Sequence, residues 1–155
     1  MFTTSAKLAL SALALTAVAT LTGCGPAATA PAGEPPVSLA AVPGQQGLKQ
    51  VVLAGDAVTK VGITTQPLAE TVATVNGVSG SHKVIPYSAV VYHTDGSTWT
   101  FVETAARTFV RQPITVAEVQ GQIAVLTAGP QVGAKVVTVG APELLGAEYG
   151  ISGEQ

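Results

Sequence analysis

From Val51 to Val139 apolar and polar residues largely alternate, and turn-forming pairs interrupt the alternation at short intervals. A period of two puts every second side chain on one face of an extended chain. The stretch therefore predicts half-buried strands rather than helices. Val51-Val52-Leu53 predicts a short strand. Asp56 is placed to cap a helical turn over Ala57–Val61, which Gly62 ends. Strands over Ile63–Leu68 and Thr71–Val75 are expected on either side of Pro67–Glu70, and Asn76-Gly77 marks a tight reversal. The clearest element is a hairpin, Ser88–His93 and Ser97–Glu103 around Thr94-Asp95-Gly96, where Asp-Gly supplies the positive φ that the turn requires. Trp99 and Phe101 share one face of its second strand and are the leading core candidates. Thr108–Val116 follows, with Val110, Ile114 and Val116 apolar. Pro113 cannot donate to a ladder, so it marks an edge or a bulge. Gln120-Gly121 turns into Gln122–Leu126, Ala134–Val139 forms a last strand, and Pro142–Tyr149 predicts one helical turn. Several short strands at this spacing predict a mainly β fold, a small antiparallel barrel or sandwich.

The N-terminal segment follows different rules. Lys7 is the only charge before the apolar run Leu8–Leu21, whose fourteen residues fall short of the roughly 20 that a bilayer core requires. Charge, apolar run and small-residue exit predict a secretory signal peptide over residues 1–23. Leu21-Thr22-Gly23-Cys24 resembles the lipobox of bacterial lipoproteins. That resemblance implies alkylation of the Cys24 thiol by diacylglycerol and cleavage that leaves Cys24 at the new N-terminus. A thiolate is the nucleophile that thioether formation needs, and small Gly23 lets a peptidase approach the backbone. Stable anchoring takes two or more acyl chains, at about 0.8 kcal/mol per buried CH₂. Cys24 is the sole cysteine, so lipidation leaves no thiol for disulfides or metal binding. Residues 24–47 are dominated by Ala, Pro and Gly and are expected to form a flexible linker of about 25–30 Å as a coil. Residues 48–151 then form the β-domain, and 152–155 a tail.

Without Lys7 the chain carries six basic and nine acidic side chains, a formal charge of −3. No basic patch supports nucleic-acid binding, and no polybasic run assists the lipid at a membrane.

Within the β-region, Ile85-Pro86-Tyr87-Ser88-Ala89-Val90, Asp95-Gly96 and Trp99-Thr100-Phe101-Val102 resemble the entry to the membrane-proximal domain of RND efflux periplasmic adaptor subunits (membrane fusion proteins). Phe109–Val116 is similar to the strand that follows there. Leu126, Gly129, Gly133, Val136-Val137 and Gly140 are similar to the closing pattern of that domain. The likeness runs from Lys83 to Tyr149, and more weakly over Val52–Leu68. The family's lipoyl domain and long helical hairpin are missing: only Val75–Ser81 stands where they would be inserted, and no heptad pattern occurs. The resemblance implies an adaptor-like accessory module of a transport or efflux system that touches a membrane transporter.

Residues with chemical potential are few. His82 and His93 are the only histidines, each beside an expected turn and expected to face solvent. His93, Asp95 and Ser97 are close in sequence, but a triad needs a base oriented and shielded by a third group. A zinc site needs three or four converging ligands, so Glu103 or Glu118 would have to join both histidines. One carboxylate in Thr94-Asp95-Gly96-Ser97 is too few for calcium. Tyr92 and Trp99 are expected to pack as an aromatic cluster. These residues predict no catalytic residue, metal or cofactor. The expected function is that of a non-catalytic lipoprotein on the extracytoplasmic face of the cell membrane. The alternative is a lipoprotein that binds a ligand or the cell wall.

Overall fold

The computed structural model describes residues 35–151. Cys24, the segment 1–23, the linker up to residue 34 and the tail 152–155 lie outside the described residues. Strands make up 55% of what is described and helices 15%. The strands form one curled antiparallel sheet, a half-barrel, as the alternating pattern predicts.

The elements run β1 (Val37–Ala41), β2 (Lys49–Leu53), α1 (Gly55–Val61), β3 (Thr64–Pro67), β4 (Ala69–Val75), β5 (Val78–Pro86), β6 (Val91–Tyr92), β7 (Thr98–Ala105), β8 (Thr108–Gln120), β9 (Ile123–Ala128), β10 (Lys135–Val139) and α2 (Ala141–Glu148). The main strand order is β3-β10-β7-β8-β9-β5-β4, with β2 joined to β8, β1 to β2, and β6 to β7. β8 carries the architecture. Its first half pairs with β7 and β2, and its second half, from Thr115, pairs with β9. Register shifts at Thr115/Val116 and Val116/Glu118 mark the change of partner; bulges bend a strand and sharpen its twist. Pro113 falls between Val110, where β2 leaves, and Thr115, where β9 joins. The expected edge is thus a local gap on one side of a central strand.

Three buried clusters follow the curl. The largest holds Val51, Leu53, Phe101, Phe109, Val137 and Leu144, with Trp99 half-buried against it. A middle cluster holds Leu68, Ile85, Ile114, Leu126 and Val136. A small one under the β4–β5 hairpin holds Ala73, Val84 and Val125. Gly140 has φ 88°, and a Cβ there would collide with the Ile63 side chain. Only glycine lets β10 turn into α2 at that place.

Several expectations need correction. Ordered structure begins inside the stretch expected to be linker, because β1 pairs with β2 from Val37↔Leu53 to Ala41↔Lys49. Four of its five side chains are exposed, so backbone pairing holds it and the apolar pattern does not reveal it. Asp56 does not cap α1. The N-cap is Ala54, with no side-chain bond, and Asp56 sits in the first turn bonded to Lys60 Nζ at 2.9 Å. A carboxylate there still suits the positive helix end. Gly62 ends the helix in the left-handed conformation, as expected. The strand expected over Ser88–His93 shrinks to Val91–Tyr92. Pro86 enters a 3-10 turn over Tyr87–Ala89, in which Val90 N–H donates to Tyr87 O. β5, through Ser79-Gly80-Ser81-His82, has no apolar alternation to announce it, yet it pairs with all of β4 and with β9. α2 runs for eight residues rather than a single turn.

Candidate functional site

The β6–β7 turn is built as its sequence dictates. Gly96 takes φ 83°, its N–H donates to His93 O, and His93 N–H donates to Ser97 O at 2.9 Å. Asp95 Oδ1 accepts both the Ser97 N–H (2.8 Å) and the Ser97 hydroxyl (2.6 Å). These bonds, with a smaller contribution from His93, hold the Asp95 carboxyl down at about 2. His93 Nδ1 lies 3.2 Å from the same oxygen, and His93 Nε2 lies 2.8 Å from the Tyr149 hydroxyl at the end of α2.

A second layer lies beneath. Trp99 Nε1–H donates to Ser97 Oγ at 2.7 Å. The Arg111 guanidinium stacks 4.6 Å from the Trp99 ring centre and 5.8 Å from that of Tyr149. Cations over aromatic faces are attracted to the ring quadrupole. Arg111 meets Glu148 of α2 in two places, Nε to Oε2 at 3.1 Å and Nη2 to Oε1 at 3.3 Å. The side chains are only 6% and 3% exposed. Lys49 N–H also reaches Glu148 Oε1, at 3.5 Å. Contacts therefore run from His93 on the hairpin tip through Trp99 and Arg111 to α2.

The chemistry of this arrangement is cohesive. Asp95 lies between His93 and Ser97, so the Ser97 hydroxyl gives its proton to a carboxylate and accepts one from the indole. In a triad the imidazole would take the serine proton; here the imidazole contacts Asp95 and Tyr149 instead. Tyr92 and Trp99 are brought to one place, an open depression of about 540 Å³ that also includes Pro113 and Val116. Tyr92 is exposed, and its hydroxyl donates to Tyr87 at 3.4 Å. This bond raises the Tyr92 phenol above its ordinary range.

The other candidates do not converge. Glu103 faces Lys135 at 3.5 Å. Glu118 sits at the bulged end of β8 and His82 on β5. Among the described residues no three His, Asp or Glu side chains come together as a metal site. Sequence reasoning missed Arg111, Glu148 and Tyr149. Two signals were present: an arginine beside core positions Phe109 and Val110, and a glutamate four residues after buried Leu144 on the same helix face. Compared with known protein families, with curated proteins and with solved structures, the chain matches none.

Proposed function

We propose that this protein is a lipid-anchored module on the extracytoplasmic face of the membrane, a non-catalytic, adaptor-like accessory of a transport system. The lipobox-like Leu21-Thr22-Gly23-Cys24 supplies the anchor, and the curled sheet from Val37 onward supplies the surface that touches a membrane transporter. The observation that carries this reading is the early start of the fold. β1 begins thirteen residues after Cys24, and a chain reaches at most about 3.3–3.6 Å per residue. An anchored Cys24 would hold the first strand within about 45 Å of the lipid, which supports contacts near the bilayer.

Two measurements test it. Cys24→Ser should move the protein from the membrane to the soluble fraction with its β-type circular dichroism unchanged; retention on the membrane would refute the anchor. Pull-down of the lipidated protein should recover a membrane transporter, and its absence would refute the adaptor role. The Tyr92–Trp99 depression supports a second reading, binding of a ligand or of the cell wall, because flat aromatic rings in an open hollow suit stacking. Under that reading Tyr92→Ala abolishes binding to isolated walls, whereas under the adaptor reading the pull-down is unchanged.

A further inference from the structure

Exposed strand edges invite pairing with other chains, and proteins guard them with proline, charged side chains (lysine above all) or bulges. Two open stretches of this sheet carry proline, β3 at Pro67 and the gap along β8 at Pro113, and β1 directly follows Pro35-Pro36. β4 is also an edge, seven residues long, and reads Ala-Glu-Thr-Val-Ala-Thr-Val with no proline, no lysine and no register shift; its one charge, Glu70, is engaged by Ser81.

The turn after β4 fixes which of its groups are open. Asn76 and Gly77 have φ 49° and 79°, the two positive values of a type I′ reversal. Val75 and Val78 flank that turn and are the hydrogen-bonded closing pair. Odd-numbered residues of β4 thus turn their N–H and C=O groups toward β5, and Glu70, Val72 and Thr74 turn theirs outward. The bond from Gln120 Nε2 to Thr74 O, 2.7 Å, lies on that outward side. Among the described residues no strand pairs there.

We propose that β4 pairs antiparallel with β4 of a second copy, about a two-fold axis through Val72. The sequence is self-complementary in this register. Val72 exchanges both backbone bonds with its own copy, and Glu70 and Thr74 face each other across the axis. No like charges are opposed, and Glu70 already accepts a bond from Ser81 Oγ at 2.8 Å. Val72, 76% exposed, is covered by its symmetry mate. Thr74 O has a second lone pair, so the Gln120 bond persists beside the new one. A two-fold, isologous contact closes on itself and stops at a dimer.

The full chain in detergent should give a concentration-dependent dimer by light scattering. Val72→Lys places two cations directly opposite each other, and should weaken the dimer by up to about fivefold while leaving the fold, read by circular dichroism, unchanged. In a Cys24→Ser background, Val72→Cys should cross-link readily under mild oxidation, because hydrogen-bonded partners sit about 5.5 Å apart. Glu70→Cys should not, since its copy would lie roughly 14 Å away at about 3.4 Å per residue. A monomer at every concentration, a dimer indifferent to Val72→Lys, or equal cross-linking at both positions would overturn the proposal.

Discussion

At the scale of single residues, Asp95 shows how local bonding replaces burial. Its carboxylate is exposed, yet the hydroxyl and N–H of Ser97 hold it to about 2. A carboxyl whose folded value lies below its unfolded one, near 3.9, stabilises the fold above the unfolded value, and loses that contribution as the pH falls. Stability should therefore drop between about pH 4 and about pH 2 more steeply in the wild type than in Asp95→Asn, which keeps the acceptor oxygen but cannot titrate. Thermal unfolding across that window measures the difference; parallel curves would show that the turn does not sense Asp95. The Asp-Gly pair marked this turn in the sequence because the constraint is local. The His93–Tyr149 contact was invisible for the opposite reason, since 56 positions separate the partners.

At the scale of elements, α2 docks through the Arg111–Glu148 pair as well as through Leu144. Removing one partner of a buried pair strands the other, and costs about 3–5 kcal/mol. Glu148→Ala should lose roughly that amount in urea unfolding, whereas Arg111→Met with Glu148→Leu should be nearly neutral. A double variant as unstable as the single one would mean that α2 depends on the charges themselves. The aromatic core anchor and the tight turns were legible in advance: Phe101 is fully buried, and the Asn76-Gly77 and Gly121 reversals stand where expected. β1 was not legible because four of its five side chains are exposed and ladder bonds define it, and β5 because only its end, Val84-Ile85, is buried while Val78–His82 shows no apolar alternation. The candidate site was half-legible. His93, Asp95, Ser97 and Trp99 are neighbours in sequence, but Arg111 and Glu148 come from a strand and a helix that only the fold brings together.

At the scale of the whole molecule, β8 belongs to both halves of the curl, so neither half can lose its pairing without exposing the other. Unfolding should be a single cooperative transition. Trp99 fluorescence, which reports the larger cluster, and far-ultraviolet dichroism, which reports all strands, should give coincident curves. A separate early transition of the β4–β5 hairpin would divide the molecule at Thr115.

The pairing of β1 also has a mechanical side. Val37, the first residue of β1, is matched with Leu53, the last residue of β2. A pull applied through the chain before Val37 meets that rung first, beside Ala54 N–H, which donates to Pro36 O at 3.0 Å. Loaded across the ladder, β1 would peel one rung at a time at low force. Loaded along it, the same rungs would yield together and resist strongly. The direction of tension, rather than its size alone, would decide whether the domain keeps its first strand.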